Sequence, residues 1–466
     1  MKHNFKRIFV NGLIAMGIML SGASFTLRAE AKTVKETVVI KQKHVSKKDM
    51  TQQIQSTINH IAKVGGGKVT IAPGTYRLKY LNLKSNVNLH LDQGAKLVFS
   101  DKFSAFPAVN TRYEGAAIKM RHPDIYGNNI HNAAITGSGT LDGNGQAWWK
   151  MYKKAKQGPL KNAPTTPFKY TRPFLLAFDH SSQIKIQGIK LVNSPAWTIH
   201  PLESENVLIQ GITINNPLTS PNTDGIDPES SNNVKILNNT ISDGDDCIAI
   251  KSGIETTNPK NSSHNIIISN NLMQHGHGGV VFGSEMSGGI HNVIISNNIF
   301  DHTDRGIRMK TRRGRGGQIS NVTVSNIIMQ SVITPLAINE FYGKSGATAN
   351  NYLSNTKQPI TSGTPAISNI SLTNITATDV SSVAGFIYGI PESPVDGVTL
   401  SNYSVTMAPN AVAQEPEMID HAQKYADSGF WFENTTNVHL NNVSIKGITT
   451  EKFVHNVNNT DLNWNN

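Results

Sequence analysis

One cysteine in 466 residues, Cys247, leaves no internal disulfide to form, so an exported form of the chain must be held by packing and backbone hydrogen bonds. Charge is scarce as well. Asp, Glu, Lys and Arg make up 16% of the sequence, which excludes a coiled coil and a charged disordered tail. What charge there is lacks acids, with 43 Lys and Arg against 32 Asp and Glu. Beyond the N-terminus no run approaches about 18 uninterrupted apolar residues, so no membrane-spanning helix is expected. Asn, Ser and Thr take the place of charge, and such a surface goes with many turns. The hydrophobic fraction of 38% is ample for a large core.

Lys2, Lys6 and Arg7 precede an apolar stretch from Ile8 to Leu20, and Ala29-Glu30-Ala31 offers small residues at a peptidase spacing. Residues 1–31 therefore read as a signal peptide, and 32–466 as one domain of a secreted protein that acts as a monomer. Asn11, Gly12 and Gly17 interrupt a stretch already short for a retained anchor. Loss of Lys2, Lys6, Arg7, Arg28 and Glu30 lowers the formal net charge from +11 to +8. The exported protein stays basic, which suits an acidic polysaccharide, an anionic surface or nucleic acid.

Short blocks of alternating aliphatic residues recur: NVLIQGITI from Asn206, NVKILNNTI from Asn233, NIIISNNLM from Asn265, NVIISNNIF from Asn292, NVTVSNIIM from Asn321, NISLTNITA from Asn369 and NVHLNNVSI from Asn437. The first five start 27, 32, 27 and 29 residues apart. Alternation with period two is the pattern of a strand with one buried face, and the Asn or Gly that follows turns the chain into a second strand. Period two excludes helical repeats, and a propeller would need four strands and aromatic signatures per blade. The expected fold is all-β, a right-handed parallel β-helix with one repeat per coil and asparagines aligned between coils at the turns. Weaker coils start at Asn86, Ala133 and Gln183, and the 48-residue gap between Asn321 and Asn369 holds a large loop. Met50 to Val64 places Ile54, Ile58 and Ile61 on one helical face before Gly65-Gly66-Gly67, and is expected to cap the open apolar end.

Coils stack about 4.8 Å apart, so residues one repeat apart become neighbours. Asp224 to Asp246 is 22 residues, Asp246 to His277 is 31, and His277 to Arg308 is again 31. Carboxylates, an imidazole and cations should thus share a strip of one face. Asp227 and Asp243 read as Asx-turn residues. The adjacent pair Asp245-Asp246 beside Asp224 costs stability and should hold a proton to higher pH, as a general acid requires. Glycines around His277 let a substrate come close. Arg305, Arg308, Lys310, Arg312, Arg313 and Arg315 read as a basic edge; export and a position inside the repeat argue against RNA. Strand phase turns Cys247 into the core, away from Asp246. No His/Cys group has metal-ligand spacing.

NTDGID (Asn222 to Asp227), GDDCIAIKSG (to Gly253), GHGG with GSE (Gly276 to Glu285) and RMKT (from Arg308), in that order, closely resemble the polygalacturonases of glycoside hydrolase family 28. SPAWTIHP (Ser194 to Pro201) extends the resemblance. It implies that Asp245 is the general acid, that Asp224 with Asp246 activates water, and that His277 tunes the acid and orients the sugar. It implies also that Arg308 and Lys310 bind the galacturonate carboxylate, with Asn222 in the same site and Tyr342 stacking on substrate, and that no cofactor or metal takes part. Met309 departs from the usual Ile, a volume-conserving change. The sequence around DDCIAIKSG and DRGIRMKTRRGRGG is more like exo-acting bacterial members than endo-acting ones. Carboxylates on adjacent coils would lie about 5 Å apart, a retaining separation, whereas the family inverts; inversion is the expectation adopted. The rival readings are a pectate lyase with Ca²⁺ and an arginine base, and a non-catalytic β-helix adhesin.

Overall fold

The computed structural model describes residues 36–465 apart from 42–47, 162, 164–165, 258–260, 344–349, 420–422, 449–452 and 458–459, so the expected signal peptide lies outside the described residues. Its strands stack in parallel, coil on coil, as a parallel β-helix. The pairing Val207, Val234, Ile266, Val293, Val322, Ile370, Val398, Val438 and Leu462 runs through nine coils. These residues repeat at the intervals of the asparagine blocks, and all but Leu462 are buried. Between the asparagine blocks one further coil was hidden in the sequence. The strand Val395–Met407 sits between the blocks that start at Asn369 and Asn437, and its left-handed corner is Gly397 rather than Asn.

Each block opens on a left-handed residue: Asn206, Asn233, Asn265, Asn292, Asn321, Asn369 and Asn437 all have φ between 52° and 57°. Asparagine tolerates that conformation where β-branched neighbours do not. Two buried ladders then tie the coils at their corners. Oδ1 of Asn271 accepts the backbone N–H and the Nδ2 of Asn239, both at 2.9 Å, and Asn271 repeats the pattern on Asn298. At another corner the Oγ atoms of Ser204, Ser231 and Ser263 accept the N–H of Ser181, Ser204 and Ser231. Outside, Asn326, Asn374, Asn402 and Asn442 form a second, exposed amide ladder.

Helix α1 (Thr51–Lys63) buries Ile54, Ile58 and Ile61 as the spacing predicts. The strand Glu36–Ile40, which precedes it, pairs with Gly67–Ile71. The third face of the coils is a sheet of seven strands, from Asp246–Ile250 to Val454–Val457, and a second of four, linked to the first by bridges at Ile226 and Glu229. One departure from parallel pairing stands out, the hairpin Ala108–Tyr113 and Ala116–Arg121. The long interval after Asn321 holds the loop that follows the strand Thr334–Asn339, as expected.

The interior ladder should carry more stability than the exterior one. Asn271→Ala leaves the Asn239 N–H without a partner in the interior and takes a donor from the Ile236 carbonyl, at a cost of about 3 kcal/mol. Asn326→Ala, at φ 55° on the surface, should cost only about 1 kcal/mol. Urea unfolding of the two variants checks this, and equal midpoint shifts would contradict it.

Candidate active site

The site lies where the strands of the third face begin. Asp246, Gly278 and Arg305 are the first residues of three consecutive strands, and Asp245 and His277 immediately precede two of them. Asp224 comes from the turn before Ile226, which bridges to Ile248. One oxygen from each of Asp224, Asp245 and Asp246 lies within 4.8 Å of the others. Nδ1 of His277 is 3.4 Å from Oδ1 of Asp245. Nζ of Lys310 donates to Oδ2 of Asp246 at 2.8 Å, and Nη1 of Arg308 to Oδ1 at 3.3 Å. Three of the four spaced motifs thus supply groups that touch, and Asp224, from the fourth, meets them in the carboxylate cluster. Gly278 makes room for this: a Cβ there would lie 2.4 Å from a Val281 methyl and 3.2 Å from Oδ1 of Asp246.

A cavity of about 300 Å³ opens over the carboxylates, and Asn222, Asp224, Asp245, Asp246, Lys310 and Tyr342 line it. Arg308 does not line it. Its side chain is buried, Nε and Nη2 donating to both oxygens of Glu417. The two cations expected to act together therefore have different surroundings. Asn222 is held by Nη2 of Arg172 at 2.8 Å, and the Tyr342 ring lies under Lys310, 5.2 Å from Nζ to centroid. Cys247 faces the core. Asp243 accepts the N–H of Asp245, an Asx turn as read from the sequence. Asp227 does more than turn the chain: its Oδ1 lies 3.5 Å from Nζ of Lys251.

Lys251 and Glu285 lie within GDDCIAIKSG and GSE, where spacing alone suggests no role, and the structure makes both part of the cavity wall. Nζ of Lys251 lies 3.8 Å from Asp224, 3.4 Å from Glu285 and 4.8 Å from the centre of the Trp197 ring. Glu417, 109 residues beyond Arg308, left no signal in the sequence. The basic run past Lys310 is not a solvated edge. Arg312 and Arg315 both bind Glu255, and Arg313 grips Glu392 and the carbonyl of Ser354. A hairpin forms a further wall. Its turn residues Glu114 and Gly115 have φ of 50° and 73°, the left-handed pair that a two-residue hairpin turn requires. Glu114 lines the cavity. Gly115 sits so close to Ile254 and Glu285 that a Cβ would come within 2.5 Å and 2.9 Å of them. The hairpin is tied down by Arg112 to Glu203 and Ser230, and by Thr111 to Asp179.

Burial and the neighbouring charges of Asp245 and Asp227 push the Asp224 carboxyl well above the usual range. Burial acts on Asp246 in the same direction, yet Lys310, Arg308 and Lys251 outweigh it and hold this carboxyl below its ordinary value. The hydrogen bond that His277 donates to Asp245 raises the imidazole above its ordinary value, against burial. Two carboxyls of one cavity are thus shifted in opposite directions by their surroundings.

A family model, glycosyl hydrolases family 28, matches residues 64–415. The chain belongs to that family. It is 32% identical over 373 residues to a probable polygalacturonase of Vitis vinifera, covering 78% of this chain and 72% of the relative. An endo-polygalacturonase of Pectobacterium carotovorum is 28% identical, with 78% and 90% covered. Among solved structures, the exopolygalacturonase of Thermotoga maritima is similar at 29% identity and a TM-score of 0.68, with 85% and 88% covered. In this family 28 glycoside hydrolase, Asn222, Asp224, Asp245, Asp246, Lys310 and Tyr342 of the residues expected from the sequence line one cavity, while His277 and Arg308 stand behind it on Asp245 and Asp246.

The same electrostatics fix how stability depends on pH. Asp224, Asp227 and Asp243 hold their protons more tightly folded than unfolded, as does Glu340, pushed up to about 8 by burial. Each such group adds stability as pH falls from its folded value toward about 4. Asp246, Glu285 and Glu417 are shifted down, and their contribution is lost as pH falls below about 4. The melting temperature should therefore be higher at pH 5 than at pH 8 and should collapse in stronger acid. A melting temperature that drops steadily from pH 8 to pH 5 would show that the buried acids are not paying this cost.

Proposed function

We propose that this hydrolase is a polygalacturonase that cleaves the α-1,4-galacturonosidic bonds of polygalacturonate. The observation that carries the reading is one cavity with both a carboxylate triad and lysines in its wall, Lys251 and Lys310 beside Asp224, Asp245 and Asp246. Acids answer to the acetal, cations to a sugar that carries a charge. The names of the relatives agree with it.

Asp245 is the general acid in this reading. Its side chain is the most accessible of the three, 21% exposed, against 5% for Asp224 and 1% for Asp246, so it can reach the leaving oxygen. His277 holds it in place. Asp224 and Asp246 hold the attacking water between them and take up the proton it loses as its oxygen bonds the anomeric carbon, while Asp245 gives its proton to the departing oxygen. Both oxygens of Asp246 are engaged by cations, which makes it a poor nucleophile and a firm water ligand. That engagement favours inversion, although the short separation of the carboxylates resembles a retaining site. Lys310 meets the galacturonate carboxylate with Tyr342 beneath it, and Asn222 holds the sugar on the opposite side.

The hairpin wall supports attack at a chain end. Glu114 at its tip, with Tyr152 and Lys156 of helix α2 (Gln146–Lys156), lines the side of the cavity facing the N-terminal coils. A chain would enter from the side of Tyr342 and stop there. The enzyme acts outside the cell after loss of residues 1–31; among the described residues no helix is long and apolar enough to cross a membrane.

Polygalacturonate should yield reducing ends in the presence of EDTA, with monogalacturonate as the first product on chromatography; a ladder of long oligomers would assign endo action. Proton NMR of the first product should give the anomer opposite to that of the substrate. Asp245→Asn should lower the rate about 10² to 10⁴-fold, and near-normal activity would reassign the acid. The rate should follow a bell with pH, and His277→Ala should move the alkaline limb more than the acidic one.

A further inference from the structure

Arg308 and Lys310 leave one strand on one face, with Ile307 and Met309 packed in the core between them. Only Lys310 reaches the cavity. All three nitrogens of the Arg308 guanidinium are committed: Nε to Oε2 of Glu417 at 2.8 Å, Nη2 to Oε1 of Glu417 at 2.5 Å, and Nη1 to Oδ1 of Asp246 at 3.3 Å. Arg308 is 1% exposed and Glu417 is wholly buried. Glu417 belongs to the segment after the strand Val395–Met407, and that segment is itself fastened. Arg305 donates to the carbonyls of Glu415 and Pro416, each at 3.1 Å, and Thr334 to that of Pro416 at 3.0 Å. The N–H of Met418 closes on Oε1 of Glu417.

A guanidinium in a two-pronged grip from a carboxylate has a fixed plane and direction. We propose that Glu417 is a positioning residue of this hydrolase: it clamps Arg308 against Asp246 and keeps it off the substrate, so that Arg308 orients the water-holding carboxylate while Lys310, alone of the two, reads the sugar's charge. The assignment rests on the reading of the site as a hydrolase of an anionic chain. Its electrostatics close locally, since Arg308, Lys310 and Arg305 face Asp246, Glu417 and Asp304, three cations on three anions. Removal of Glu417 would leave a buried guanidinium with excess charge, free to turn from Asp246 toward any anion in the cavity.

The test is a kcat and KM comparison of wild type, Glu417→Gln, Glu417→Asp and Lys310→Met on polygalacturonate, with thermal melts of each. Glu417→Gln is expected to lower kcat by roughly tenfold or more with KM within about threefold of wild type, the mark of a contact that matters in the transition state. Glu417→Asp keeps the charge and should recover part of the rate, whereas Lys310→Met should act mainly on KM. A raised KM with unchanged kcat in Glu417→Gln would overturn the proposal, because Arg308 would then be a substrate ligand. So would a lower melting temperature with both constants intact, because Glu417 would then be structural alone. Should Glu417→Gln not fold, Glu417→Asp decides by the same split. A wild type inert on polygalacturonate would overturn the substrate reading and this proposal with it, whereas an active wild type whose kcat is unchanged in Glu417→Gln would overturn this proposal alone.

Discussion

Everything in this molecule depends on neighbouring coils staying in register, and backbone hydrogen bonds alone do not guarantee that. A parallel ladder can slip by two residues and still pair its amides. The corner side chains cannot. Asn239, Asn271 and Asn298 each bind the next coil through an amide set at one point of the turn, and Ser204, Ser231 and Ser263 do the same with hydroxyls at another. These contacts pin each coil to the next at fixed residues, so groups dozens of residues apart meet to within hydrogen-bond distance. The Oγ of Ser263 also accepts no slack in the site itself, since it binds the carbonyl of Lys251 at 2.7 Å.

The active site makes a heavy demand on that rigidity. Asp224, Asp227, Asp243 and Asp246 are all buried within one small region, and like charges in a poorly solvated region repel. Lys251 answers three of the surrounding acids at once, Asp224, Asp227 and Glu285. Lys310 and Arg308 answer Asp246. The fold thus keeps an acid cluster whose members differ in ionisation because the cations are shared out unequally. A softer scaffold would let the carboxylates move apart and lose that difference.

The coils were legible in the sequence because each is announced by asparagine at a left-handed corner and by alternating aliphatics. The coil at Val395 escaped because Gly397 does the same conformational work as asparagine without its amide. The motif residues were legible for a related reason: polar residues that interrupt an apolar rhythm at repeat spacing must share a face. Partners that lie off the rhythm were not. Glu417 sits in a loop, and nothing in spacing ties it to Arg308. Glu114 belongs to a hairpin that departs from the solenoid, and reaches the cavity because Arg112 and Thr111 bind that hairpin across other coils. The arginines from 312 to 315 looked like surface because their acidic partners, Glu255 and Glu392, come from other coils.

The hairpin also bears on traffic. Under the chain-end attack proposed above, Glu114 walls one side of the cavity, and a sugar freed against that wall would leave by the path along which the polymer came. On that reading the shortened chain would have to withdraw before the product could pass, and enzyme and polymer would part after each cut. Such a geometry is at odds with sliding along one strand through successive cuts. It also leaves the freed sugar competing with the next chain end for the same space.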